Sequence, residues 1–129
     1  MKNKGFSLIE LLVVVGILAI LIVVGVPMYS KYKTKSNRSE ATYSLLAASA
    51  AQERFEITND VYSDTLSDIY PTTTDTGLYV LSGNTIASGK GYQIEATAQG
   101  SQVSDIGCGV ITLRVLRGIE SKTPAECWD

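Results

Sequence analysis

The sequence predicts an α+β protein: one long N-terminal helix whose first half can span a membrane, packed through its second half on a small antiparallel sheet of three to four strands. Three observations carry this expectation. Between Phe6 and Met28 only Ser7 and Glu10 are strongly polar. At about 1.5 Å per residue that stretch makes a helix of roughly 35 Å, longer than a hydrocarbon core of about 30 Å. Apolar and small residues then recur at three- and four-residue steps from Ala41 to Phe55, as on one face of an amphipathic helix. Beyond Gly77 the period changes to two, in short stretches separated by glycine.

Taken in order, Lys2 and Lys4 precede the apolar run, which suits a secretory signal or a first membrane helix with its N-terminus in the cytoplasm. The run ends Val24-Gly25-Val26-Pro27-Met28-Tyr29 and continues into a further helical pattern, without the cleavage site of an ordinary signal peptide. A basic cluster of Lys31, Lys33, Lys35 and Arg38 follows and outnumbers Lys2 and Lys4, so charge counting leaves the orientation open. Pro27 interrupts the helical pattern. A proline inside a helix removes one hydrogen bond and crowds the preceding turn, at about 3 kcal/mol or more unless the helix kinks, so a bend is expected there. In the second half Ala41, Leu45, Ala48, Gln52 and Phe55 share one face, and Ala47, Ala50 and Ala51 add small surfaces for close packing. Asn59-Asp60 is a stop signal, which gives a helix from about Phe6 to about Ile57, roughly 75 Å by helical rise.

Residues 60–77 are rich in Ser, Thr and Asp, with Pro71 and Gly77, and read as a connecting loop. Three strand-like stretches follow: Leu78-Tyr79-Val80-Leu81, Tyr92 to Thr97, and Val110 to Leu116. Gly83-Asn84 and Gly89-Lys90-Gly91 supply turn chemistry between the first two.

Composition narrows the chemistry. The 129-residue chain has no histidine, which removes imidazole metal sites and histidine-based catalysis. Its glycines match no phosphate-binding pattern, and Asp60, Asp64 and Asp68 lack the spacing of a calcium loop. No cofactor, metal or catalytic residue is expected. From Asp60 onward nine acids face four bases, Lys90, Arg114, Arg117 and Lys122, a poor start for a general nucleic-acid binder. Cys108 and Cys127 both lie near the C-terminus, and if the domain is exported the simplest reading is one disulfide. Asn37-Arg38-Ser39 is a chance sequon in a helical pattern, and Tyr29 and Tyr32 read as packing at a membrane interface.

Glu10 admits two readings. A charged side chain well inside a bilayer costs roughly 2.5–3.5 kcal/mol, and less near the end of a span. It is either a tolerated interfacial acid or one that awaits a cation within an apolar assembly. The cation that leaves the apolar run intact is an α-amino group made by cleavage just before it.

Lys4-Gly5-Phe6-Ser7-Leu8-Ile9-Glu10 followed by the apolar stretch resembles the class III signal of type IV pilins and related pseudopilins. The resemblance implies that a prepilin peptidase cuts between Gly5 and Phe6 and N-methylates Phe6. Glu10 would then neutralise the Phe6 amine of a neighbouring subunit during filament assembly. It also implies that the stretch from Gly16 to Pro27 can lose helicity on packing. The tail resembles pilins too, through Tyr92 to Thr97, Gln102, Asp105, Cys108-Gly109, Thr112-Leu113 and Cys127-Trp128, with a Cys108–Cys127 bond closing the C-terminal loop. Such a loop is worth about 3 kcal/mol in the chain-entropy model.

The domain plan that follows is a leader over residues 1–5, a transmembrane and filament-core helix over 6–28, and a globular domain over 29–129. The expected protein is not an enzyme but a pilus subunit, with itself, the prepilin peptidase, an assembly platform with its ATPase and the inner membrane as partners. It would sit single-pass in the inner membrane with a cytoplasmic N-terminus, and in an extracellular filament after assembly. Two alternatives stay open: a minor pilin that binds DNA or a surface ligand, through Lys90, Arg114, Arg117 and Lys122, and a type II secretion pseudopilin.

Overall fold

The computed structural model describes residues 5–128; Met1 to Lys4 of the expected leader lie outside them. The chain divides into two compact units, residues 1–33 and residues 34–129.

One helix, α1 (Leu8–Asn59), passes through both units and contains Pro27. It begins where the Leu11 amide donates to the Ser7 carbonyl at 3.2 Å, which makes Ser7 the N-cap residue. It ends at Asn59, followed by Asp60 with φ 59° and an amide bonded to the Glu56 carbonyl at 2.8 Å. Asn and Asp tolerate that left-handed geometry better than most residues, which is why the chain stops there. In the first unit the apolar side chains from Phe6 to Met28 are exposed and form no core of their own. A helix satisfies its own backbone, so such a surface suits lipid or other apolar helices.

The second unit is built on a four-stranded antiparallel sheet in the order β1 (Tyr79–Ile86), β2 (Gly91–Ala98), β3 (Val110–Leu116) and β4 (Ile119–Thr123). Alternation sends Tyr79 and Leu81, then Tyr92, Ile94, Ala96 and Ala98, then Ile111, Leu113 and Val115 to the inner face, where all are buried. Ala41, Leu45 and Ala48 of α1 complete that core. Ala47 is only half-buried and Ala50 is exposed, so the small-residue face is narrower than the sequence suggests. Gln52, fully buried, pairs with the backbone of Ser63, accepting from its amide at 2.9 Å and donating to its carbonyl at 2.8 Å. A buried amide needs such partners. Here they also fix the start of the segment after the helix.

Residues 60–77 are a connection, but an anchored one. Leu66, in a short 3-10 turn (Leu66–Asp68), is buried against the sheet. Glu40 accepts from the Thr76 amide and hydroxyl at 3.0 and 2.7 Å. Thr73 bridges to Val80 beside β1. Gly83-Asn84, read as a turn, instead continues β1, whose register with β2 runs from Tyr79↔Ala98 to Ile86↔Gly91. Gly83 lies beside Leu66, where a Cβ would stand in ordinary contact, 3.4 Å from Leu66 Cβ. The reversal falls at Ala87 and Ser88, both with positive φ, closed by the Gly89 amide on the Ile86 carbonyl at 3.1 Å. The strand β4 has no apolar alternation and is exposed throughout; its signal is the two-residue Arg117-Gly118 turn, with φ 53° and 77°.

A Cβ on Gly91 would lie 2.3 Å from the Val115 carbonyl oxygen, a backbone atom that cannot yield. Gly91→Ala should therefore cost about 1–3 kcal/mol, read as a lower denaturant midpoint at unchanged slope. The Tyr92 phenol contacts Ser49 Oγ at 2.7 Å and Glu53 Oε1 at 2.9 Å, and burial holds its pKa well above the usual tyrosine value. An unfolded tyrosine ionises near about pH 10 whereas this one stays protonated, so its contribution is full below about pH 10 and is lost as pH rises further. Denaturant midpoints should fall on the alkaline side, and Tyr92→Phe should flatten part of that fall.

Candidate functional site

At the N-terminus Gly5, Phe6 and Ser7 precede the helix, and Glu10 lies in its first turn, exposed on the single chain. Ser7-Leu8-Ile9-Glu10 has the spacing of a capping box. An acid in the first turn also complements the positive end of the helix dipole. Glu10 therefore suits the helix start as well as any external cation. Because α1 starts at Leu8, Phe6 and Glu10 do not share a helical face in this uncut chain. Pro27 sits within the continuous helix.

In the second unit the loop between β2 and β3 is tied to α1 by a polar clamp. Arg38 grips Asp105 with two bonds, Nη2 to Oδ1 at 2.6 Å and Nε to Oδ2 at 2.9 Å. The bond to Asp105 raises the Arg38 pKa further, against a smaller opposing effect of burial. Gln102, buried in the 3-10 turn Gly100–Ser104, accepts from Asn37 Nδ2 at 3.1 Å and donates to the Thr34 carbonyl at 3.1 Å. Asp105 is buried, and a forked guanidinium is the partner that best offsets its desolvation. Arg38 thus belongs to the fold and not to a simple membrane-flanking cluster. Asn37, the first residue of the sequon, is committed to the same clamp.

Cys108 and Cys127, both buried, form a disulfide with Cα atoms 5.7 Å apart across 19 residues. Trp128 packs partly on the core beside it, and Lys122 Nζ lies 5.2 Å from the Trp128 ring centroid. Lys122 also pairs with Glu120 at 2.9 Å. Of the four distal bases, Lys90 and Arg117 come together at neighbouring turns, joined by the Arg117 amide on the Lys90 carbonyl at 3.2 Å. Arg114 is exposed on the outer face of β3, opposite Gln93 and Ser121. Lys122, opposite Leu113 in the sheet register, is engaged by Glu120 and by the Trp128 ring.

Among the described residues no group of three His, Cys, Asp or Glu side chains could hold a metal ion. Asp64 accepts instead from the Thr85 hydroxyl.

Comparison with known proteins agrees with this geometry. Residues 27–112 match the family described as type IV minor pilin ComP, DNA uptake sequence receptor, and residues 1–26 match the prokaryotic N-terminal methylation motif. The chain is 41% identical over 68 residues to the type IV major pilin protein of Myxococcus xanthus, covering 53% of this chain and 31% of that one. It is 41% identical over 64 residues to the type IV wide pilus major component of Thermus thermophilus, 49% of each chain. It is 54% identical over 35 residues to prepilin peptidase-dependent protein D of Escherichia coli, 27% of this chain and 24% of that protein. The matches thus span between about a quarter and a half of these relatives' lengths. Among solved structures, a type IV pilin from Shewanella oneidensis superposes with a TM-score of 0.57 at 25% identity, over 74% of this chain and 98% of that one. With a methylation-type N-terminus leading into a long helix and a four-stranded sheet closed by a C-terminal disulfide, this chain belongs to the type IV pilin family, a structural and non-enzymatic one.

Proposed function

We propose that the chain is a filament subunit, cut between Gly5 and Phe6 by a prepilin peptidase, N-methylated at Phe6, and polymerised through the apolar first half of α1. The observation that carries this reading is Glu10. It is the one acid in an apolar stretch with no core of its own, four residues beyond the amine that cleavage would create. In an apolar bundle an unpaired carboxylate is penalised, and a neighbour's amine relieves the penalty only when the subunits are in register. The pair acts as a register device. Before assembly the subunit sits in the inner membrane through residues 6–28, with residues 29–129 as the globular domain outside. An assembly platform and its cytoplasmic ATPase extract it into an extracellular pilus, where Pro27 is the site at which the helix bends.

Intact mass spectrometry without reduction, on protein sheared from the cell surface, tests the reading. The expected species starts at N-methylated Phe6 and carries one disulfide; a chain that still begins at Met1 in an active host would sink it. Glu10→Ala should be processed and methylated like the parent yet lose surface filaments, with the protein retained in the membrane.

A second reading has its own support. The family matched over residues 27–112 is described as a DNA uptake sequence receptor, and Lys90 and Arg117 are brought together at one end of the sheet. In that reading the subunit is a minor pilin that holds DNA phosphates at these turns. Binding should weaken steeply with salt, and loss of two phosphate contacts in Lys90→Ala/Arg117→Ala should reduce the log–log salt slope by about 2. Salt-insensitive binding, or a slope unchanged by the double substitution, would argue against it.

A further inference from the structure

The two edges of the sheet are finished differently. Beside β1 the connecting segment adds bonds of its own, from the Leu81 amide to the Thr72 carbonyl at 2.7 Å and from the Thr74 amide to the Tyr79 carbonyl at 3.0 Å. Beside β4 no segment does so among the described residues. Its residues from Ile119 to Thr123 are all exposed, and the strand pairs only with β3. An open edge offers a row of backbone donors and acceptors to another strand. The hairpin register says which ones. The two-residue Arg117-Gly118 turn makes Leu116 and Ile119, which flank it, a hydrogen-bonded pair. Pairs then alternate, so Ile119, Ser121 and Thr123 turn their amides and carbonyls toward β3, whereas Glu120 and Lys122 turn theirs to the open edge.

We propose that β4 pairs antiparallel with β4 of a second copy, about a two-fold axis at Ser121. Two independent requirements single out that register. Edge-facing residues must stand opposite edge-facing residues, which excludes any two-fold lying between two residues. Charge then decides among the axes that lie on a residue. An axis at Glu120 sets glutamate against glutamate. One at Lys122 sets lysine against lysine and carries Glu120 to Pro124, which has no amide to give. An axis at Ser121 places Glu120 opposite Lys122 of the second copy and Lys122 opposite its Glu120, in two hydrogen-bonded pairs of opposite charge. Glu120 and Lys122 already meet within the strand at 2.9 Å, and both stay half-exposed, so each can take the second copy's charge as well. A lysine on an edge ordinarily repels another strand. Here the glutamate two residues before it gives the edge a match in its own sequence.

The contact is isologous and closes at two copies, so it is distinct from one that repeats along a filament. It is made wholly within the second unit and does not rest on the filament reading. Five residues a side bury little area, so the dimer is weak and depends on concentration.

The test uses the full chain in detergent, carrying Ser121→Cys, over a range of protein concentration. Opposed residues of a non-hydrogen-bonded pair stand about 4.5 Å apart at Cα, within reach of a disulfide. Mild oxidation should therefore join position 121 of two chains, mapped by peptide mass spectrometry with the Cys108–Cys127 bond intact. Ile119→Cys, whose opposite number is Thr123, should give about a tenth of that yield or less. Adding Glu120→Lys to the Ser121→Cys chain makes both opposed pairs like-charged and should lower the yield about tenfold. Adding Lys122→Glu to that chain should restore it, which also shows that the charge changes leave the fold intact. Equal yields from positions 119 and 121, a yield unmoved by the charge changes, or a Ser121→Cys chain that stays monomeric at every concentration would each overturn the pairing.

Discussion

The second unit depends on how closely one helix can approach a sheet. Ala41 and Ala48 present almost no side chain to the inner face, and Leu45 between them is buried in the same cluster as Tyr92, Ile94 and Leu113. Larger residues at 41 or 48 would push the layers apart and leave Leu45 with nothing to fill. The Ser49 hydroxyl, at the edge of the same face, reaches the Tyr92 phenol, so the large side chain of the sheet is satisfied by a small one from the helix. Tyr62 then meets the Tyr92 ring edge-on, with centroids 4.8 Å apart. That aromatic contact closes the end of the core.

Around this contact, polar side chains of α1 do what the apolar ones cannot. They fix the paths of the loops. Gln52 holds the chain just after the helix, Glu40 holds the turn before β1, and Arg38 with Asn37 holds the loop after β2. The Gln52 and Arg38 contacts also satisfy a buried amide and a buried carboxylate that would otherwise lack partners, whereas the Glu40 contact lies at the surface. The disulfide then joins the start of β3 to the last residues, which no apolar side chain of β4 anchors.

Much of this was legible in the residues. The helix, its buried stripe of Ala41, Leu45, Ala48 and Gln52, and its end at Asn59 all followed from periodicity and stop chemistry. Two strands were found closely, because alternation and β-branched residues coincide there. The rest was hidden for physical reasons. Gly83 looks like a turn residue in sequence, whereas it lies within β1, paired with Ile94 of β2. The turn over residues 87–90 was read from its second half, Gly89-Lys90, while Ala87 and Ser88 take positive φ because the pairing of β1 with β2 requires the reversal there. The strand β4 has no buried face to produce a period. Arg38 read as part of a basic cluster because the partner that claims it, Asp105, lies 67 positions away.

The spacing of the polar attachments along α1 also has a mechanical meaning. Arg38, Glu40 and Gln52 are distributed over about 20 Å of one helix by its rise; Arg38 grips the loop after β2, and Gln52 and Glu40 grip the two ends of the connection before β1. A pull along the helix loads them together instead of one after another. Attachments loaded in parallel share the force, so the domain resists being stripped from its helix better than the strength of any one hydrogen bond suggests. Tension carried by this part of the helix is passed at three points into the connection before β1 and the loop after β2.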